Sequence, residues 1–392
     1  MAWLSRFNSR TFLLLYAHRF LFGWASAAAL SFEYAYLLRH NTPITVILLF
    51  IASVFFVSGT VALCSVSLQQ RLKIPTVFMI AMICSVIASI MVAQASWSLP
   101  LALSSALFSG SAMGLYYPAS DVLEAIYVTD NRRRGRQYTF GISCTILGTA
   151  IGAALNGVLI AHFGYLVSAF TSMLVYMMSL VPVYQLPPHA HGKTKPLSPP
   201  KVLHYMGSPA FRSFWLLFFG QQLCIIIKLL IPAYLFLVLG GFQETGFVIA
   251  GSTILQVILL TLSGNSLDRH GHAIGVRNAA WLYATSFLGF ILVPVSAGTA
   301  LFLNTTNMTT AMLMDGALIT RLHSLLRRHP MPPFLLFGTA WQIALCSGEV
   351  LTLLCMSALT TYVGNGIFSV LFLGGVIGSL IQYYGFPRKT NV

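Results

Sequence analysis

Gly264-Asn265-Ser266-Leu267-Asp268-Arg269-His270-Gly271-His272 is a nine-residue polar interruption in a chain otherwise built of long apolar runs. Two glycines, one carboxylate and several basic groups compose a tight basic turn between two membrane spans, because hydrocarbon tolerates neither exposed charge nor an unsatisfied irregular backbone. The tracts on either side match the roughly 20 apolar residues that a helix needs to cross a bilayer. Counting such tracts outward gives twelve, over residues 12–37, 44–68, 75–95, 99–118, 138–161, 165–184, 214–239, 245–262, 274–293, 299–319, 334–354 and 357–383. The tenth is the most polar, carrying Asn304, Thr305, Thr306, Asn307, Thr309 and Thr310.

Composition supports the count. Of 392 residues, 57% are apolar and 8% charged, whereas a soluble domain carries roughly 25% charged residues. With so little charge, lipid must cover the surface, and the expected class is an all-α polytopic membrane protein. The net charge of +14 does not call for nucleic acid, because the cations sit in short loops rather than on one soluble basic face. When the loops are assigned to alternate sides, nineteen of the 22 Lys and Arg residues fall on one side and only Arg39 on the other, with Arg19 and Lys228 inside spans. The positive-inside rule then places both termini in the cytoplasm of an inner or plasma membrane protein. A missed or invented span would swap every later loop and erase this bias. The start of the chain runs into the first span without a cleavage site, so no removable signal peptide is expected. The six cysteines are scattered singly in apolar runs and read as buried small hydrophobes.

Residues 186–211 contain most of the prolines between the sixth and seventh spans and read as a cytoplasmic linker. It divides the chain into an N-terminal six-helix bundle, 1–185, and a C-terminal one, 212–392. In both, a basic loop follows the second span and a longer one follows the fourth. Parallel duplication of a six-span unit is a transporter pattern.

With these features on the page, the chain resembles the major facilitator superfamily over its whole length. The most specific match is to the family's loop pattern G-x-x-x-D-R-x-G, met by Gly264, Asp268, Arg269 and Gly271. In the first half the corresponding loop keeps Arg71 but has Val66, Gln70 and Lys73 at the other positions. The fifth span partly resembles the family's antiporter pattern through Gly148, Gly152, Ala153, Asn156 and Gly157, without its proline and one of its glycines; small residues at fourfold spacing also serve close helix packing. Asp121, Glu124, Asp130 and Arg132 to Arg136 look like the family's charged loop after span four. The resemblance implies a twelve-helix fold of two pseudo-symmetric bundles, and a gating set of Gly264, Asp268, Arg269, Gly271, Arg71, Asp121 and Arg132. It also implies a mid-membrane substrate cavity lined by spans one, four, seven and ten.

Ionisable groups at that depth are costly and therefore candidate sites. His18, Arg19 and Glu33 lie in span one, Lys228 in span seven, one turn before Pro232, and Glu349 in span eleven. Glu33 is roughly 21 Å along the helix from Arg19 at 1.5 Å per residue, which places it toward the outer surface. Lys228 needs either Glu349 or an anionic substrate as its partner. The expected substrate contacts are Arg19, Lys228, Tyr116, Tyr117, Asn304 and Asn307, with Ser104, Ser105 and Thr306 as further polar lining. Glu349, His18 and Glu33 are the candidates for proton coupling. Any of the uncharged polar groups could instead only bridge helices.

The chain lacks Walker, G-x-S-x-G and H-E-x-x-H patterns, so enzymatic chemistry, ATP-driven pumping, resident cofactors and metals are not expected. The leading expectation is a monomeric, proton-coupled secondary transporter taking up a small organic anion or anionic metal chelate. A proton-coupled efflux antiporter is the alternative, and a transport-inactive receptor or assembly protein on the same fold is a reading of another class.

Overall fold

The computed structural model describes residues 10–94, 99–127, 134–187, 209–270, 272–326, 333–363 and 366–385, with 200, 204 and 207. These fold into twelve helices: α1 Arg10–Arg39, α2 Ile44–Arg71, α3 Ile74–Ala93, α4 Leu99–Tyr127, α5 Arg134–Phe163, α6 Tyr165–Tyr184, α7 Pro209–Leu239, α8 Phe242–His270, α9 His272–Leu292, α10 Ala297–Leu326, α11 Pro333–Val363 and α12 Ile367–Gly385. Among the described residues no strand occurs. By length and composition, nine helical segments are apolar enough to cross a membrane; α4, α9 and α10 are not among them. The outward faces carry groups such as Leu292, Phe302 and Leu174, which are 74%, 70% and 64% exposed. Lipid covers such a surface in an integral membrane protein.

In the polar tenth helix three hydroxyls are satisfied locally, while Thr309 Oγ1 is buried without a partner among the described residues. Thr305, Thr306 and Thr310 donate to the carbonyls of Leu301, Phe302 and Thr306 at 2.6, 2.9 and 2.7 Å, a back-bonding that removes free donors from an apolar setting. Several expected boundaries shift. The stretch 264–270 continues α8 as helix to His270 rather than forming a turn, and Gly271 lies outside the described residues. Helix α11 runs on to Val363, beyond the expected end at 354, because nothing between Thr352 and Thr361 breaks a helix. Only Cys224 and Cys346 of the six cysteines are buried; Cys64 and Cys355 are exposed, since α2 and α11 turn these faces outward from the bundle. Most of the expected linker 186–211 lies outside the described residues.

Two six-helix bundles repeat one packing scheme. Helix α1 packs on α5 and α6 as α7 packs on α11 and α12, and α4 packs on α2 and α3 as α10 packs on α8 and α9. Between bundles, α2 meets α11 and α5 meets α8, while α1 also touches α7 and α4 touches α11. We call the face carrying the α1–α2 connection distal and the opposite face proximal. One apolar core, including Phe32, Leu37, Ile47, Leu230 and Phe242, reaches both bundles; a second, including Leu15, Ile74, Phe78 and Leu180, belongs to the first bundle.

The α5–α8 crossing is a backbone contact. A β-carbon on Gly246 would lie 2.7 Å from the Ala153 carbonyl oxygen and 3.1 Å from Gly157 Cα, and one on Gly157 would lie 2.7 Å from the Phe242 carbonyl oxygen. Glycine at both positions is what lets the helices approach this closely. At the α2–α11 seam the Gln342 amide donates to Ser58 Oγ at 3.3 Å, and Cys346 Cβ stands 3.0 Å from where a β-carbon on Gly59 would be. Gly246→Val is expected to lower the melting temperature of detergent-purified protein through overpacking of about 1–3 kcal/mol. Gly298→Ala, where a β-carbon meets nothing within 4 Å, should leave it unchanged or slightly raised. Equal melting of Gly246→Val and wild type would refute the close seam.

Candidate functional site

Helix α1 supplies the spine of the site. His18, Phe22, Ser26 and Glu33 recur along one side of it, and α3, α4 and α6 bring aromatic and hydroxyl groups against that side. The result is a cavity of about 70 Å³ lined by residues that include Phe22, Ser26, Glu33, Tyr34, Ser85 and Ser109, with Tyr116, Tyr117 and Tyr176 and, from α7, Leu229. No lysine, arginine or histidine is among its lining residues.

Its aromatic wall is held in register from behind. His18 is buried, with Nδ1 2.8 Å from the Ser179 carbonyl oxygen on α6 and Nε2 3.2 Å from Tyr116 Oη on α4. A carbonyl can only accept, so Nδ1 donates; in the neutral ring Nε2 then accepts the Tyr116 hydroxyl proton. Phe78 stacks on the imidazole at 5.1 Å, and Phe22 lies parallel to Tyr116 with centroids 3.7 Å apart and 5° between planes. Tyr176 hydrogen-bonds Ser85.

Glu33 is buried, at 6% exposure, and lines this cavity, although it sits only about 9 Å along α1 from Arg39 at 1.5 Å per residue. The expectation of an outer-surface position is corrected: the packing of Phe32 on Phe242, at 6.2 Å, and of the Arg39 guanidinium over the Phe242 ring, at 5.4 Å, covers α1 on the distal side. Among the described residues no hydrogen-bond or ion-pair partner reaches the Glu33 carboxylate. Glu349 of α11 is buried at 3% exposure. Tyr34 is within electrostatic reach of both carboxylates, so acidic groups from the two bundles converge on one tyrosine.

The other charged residues divide differently. Arg19 packs toward α5, its guanidinium beside Gly141, and its charge is felt at Tyr16, Cys144 and Tyr116. It lies proximal to the cavity and does not line it. Lys228 is partly buried on α7, where Pro232, lacking an N–H, frees the Lys228 carbonyl from the helical ladder. The acidic group in electrostatic reach of Lys228 is Asp315 of α10, which in turn accepts a hydrogen bond from Gln221 Nε2. Sequence reasoning offered Glu349 or a substrate instead and passed over Asp315. Its signal was present, a lone carboxylate after the apolar run Ala311-Met312-Leu313-Met314, masked by the polar character of the rest of that span.

Of the remaining candidates, Tyr116 and Tyr117 line the cavity. Asn304 and Asn307 do not: their amide groups donate to Ser252 Oγ of α8 at 2.6 Å and to Ser286 Oγ of α9 at 3.1 Å. They tie α10 to its neighbours within the second bundle. Gly264, Asp268 and Arg269 lie on the last turns of α8, Arg71 ends α2 and Asp121 is on α4; their side chains, Gly271 and Arg132 lie outside the described residues.

Among the described residues, twelve helices in two matched six-helix bundles, with α2–α11 and α5–α8 as the seams, have the fold of the major facilitator superfamily. A crystal structure of that fold, a point mutant of the nucleoside transporter NupG, is similar to this chain with a TM-score of 0.71 at 14% sequence identity, covering 96% of this chain and 98% of that one. No protein-family model matches the sequence, and no curated protein matches it.

A cycle on α7 and α10 tests the buried charge pair. Lys228→Met and Asp315→Asn should each lower the melting temperature, each leaving one buried charge uncompensated, and the double variant should lose less than the sum. Strictly additive losses would show that the two charges do not interact.

Proposed function

We propose that this protein is a monomeric secondary active transporter that works by alternating access and uses protons as its coupling ion, moving a small organic solute across an inner or plasma membrane. The observation that carries the reading is that Glu33 of the first bundle and Glu349 of the second are both buried and both within electrostatic reach of Tyr34, with Glu33 lining a small, largely aromatic and apolar cavity. A carboxylate in such a setting is tolerated when it holds a proton and costly when it does not. Two of them, on elements that separate when the bundles rock about the linker 186–211, tie proton occupancy to conformation. His18 serves by holding Tyr116 in place, and the end of α8 over 264–270 serves as a gate on the face that the positive-inside rule assigns to the cytoplasm.

On solute charge, the geometry favours a different answer from that of the sequence. An anion was attractive while Lys228 had no acidic group near it; Asp315 lies within its electrostatic reach, and Arg19 is not among the cavity's lining residues. The charged group lining the cavity is a carboxylate, so a neutral or cationic solute is the better fit. That a protein of the same fold bears the name nucleoside transporter supports organic solutes as a cargo class.

Proteoliposomes containing trapped pyranine test this. Addition of uridine, benzylamine or benzoate is expected to give a solute-dependent pH change with at least one of the first two, and Glu349→Gln should abolish it. A response to benzoate alone would restore the anion reading, and no response to any of the three would count against transport of these classes.

A further inference from the structure

We infer that the cavity on α1 is a recognition site for the ammonium group of a small organic amine, and that the amine and the coupling proton are alternative occupants of Glu33. This rests on the transporter reading above and assigns the chemistry of its cargo.

A buried carboxylate without a partner among the described residues must be neutralised, by a proton or by a cation. Here the surroundings fit the second as well as the first. The aromatic rings of Phe22, Tyr34, Tyr116, Tyr117 and Tyr176 line the cavity with Glu33, and ring faces attract an ammonium group through their quadrupole. The hydroxyls of Ser26, Ser85 and Ser109 can accept its remaining N–H donors. A volume of about 70 Å³ admits an ammonium head or a few waters, so any bulkier part of the cargo must project toward the seam at Leu229.

Among the described residues, the groups around Glu33 supply no competing cation. Tyr34 stands beside it on α1, and Tyr165 and Tyr176 of α6 are within its electrostatic reach. Tyr116 and Tyr117 line the cavity from α4, and Glu349 of α11 adds a second negative group near Tyr34. Arg39 is engaged with Phe242, Lys228 of α7 is in reach of Asp315, and Arg19 acts around Tyr16 and Tyr116 at the other end of the helix. When an amine cation seats on the carboxylate, the proton on Glu33 leaves to water; when the proton returns, the amine loses its counter-charge. One carboxylate with two exclusive occupants makes exchange of amine for proton the natural coupling.

Binding of radiolabelled benzylamine to the detergent-purified full chain tests the site, with benzyl alcohol and benzoate as competitors of similar size. The expected result is saturable benzylamine binding that weakens as pH is lowered, releases protons in weakly buffered solution and is not displaced by benzoate. Glu33→Gln, which keeps shape and removes the charge, should weaken it by about tenfold or more. Glu33→Asp should retain pH-sensitive binding, which separates loss of the carboxylate from misfolding. Unchanged binding in Glu33→Gln, or displacement by benzoate as effective as by unlabelled benzylamine, would overturn the proposal. A pyranine response to uridine in proteoliposomes without benzylamine binding would sink the amine site and leave the transporter reading standing. Benzylamine binding with no pH-driven flux of any solute would do the reverse.

Discussion

A carboxylate inside a lipid-covered bundle is among the most costly groups a chain can carry, and the placement of Glu33 and Glu349 is the constraint around which the rest is arranged. Each is more than nine-tenths buried, so neither is matched by bulk water. Their burial requires that the bundles close over them: Phe32 against Phe242 on the distal side, and Ser58 against Gln342 at the α2–α11 seam. The protein could have avoided the cost with two glutamines. Retaining ionisable groups where they must be neutralised fits a molecule whose conformational preference depends on what is bound there.

The close seams make that dependence workable. Where Gly157 and Gly246 meet, the α5 and α8 backbones touch with no intervening side chains. Contacts between backbones and small residues depend little on rotamers, so this part of the seam involves no interlocking of large side chains. By contrast, the contacts within each bundle interlock. Asn304 reaches Ser252, Asn307 reaches Ser286, and His18 bridges Ser179 and Tyr116. Hydrogen bonds of this kind have few alternative partners in an apolar interior, so they hold each bundle together as a unit. Within the bundles these polar bridges tie helix to helix, whereas between them the α5–α8 contact is made by glycines and the α2–α11 contact carries the bridge from Gln342 to Ser58.

Much of this was legible in the sequence, for a definable reason. A span must supply some twenty apolar residues and loop charges must favour one side, and both are properties of the chain read locally, so the twelve helices and the paired bundles follow directly. Which face of a helix looks inward is not local. Glu33 reads as near-surface because it stands close to the end of span one, and only the packing of Phe242 and the α8 start over that end buries it. Asn304 and Asn307 read as lining because they are polar in a span expected to face the cavity, yet α10 turns them toward α8 and α9. Asp315 was readable as a residue but not as a partner, because its relation to Lys228 depends on how α7 and α10 are rotated against each other.

That rotation also bears on selectivity. A partly buried lysine and aspartate in electrostatic reach of each other present little net charge, which leaves Glu349 as the uncompensated buried charge of the second bundle among the described residues. Glu33 in the first bundle has no such compensation among the described residues, and its field is directed into the cavity at full strength when the proton is absent. The two bundles, alike in helix packing, each hold a carboxylate with no cation in electrostatic reach among the described residues, Glu33 in the first and Glu349 in the second, while the second also holds Lys228 and Asp315 within reach of each other. A duplicated fold can keep its mechanical symmetry while giving chemical recognition to one half, because packing depends on the pattern of small and apolar residues and recognition on a few isolated polar ones. On the amine-site reading proposed above, recognition falls on the half whose first helix carries Glu33.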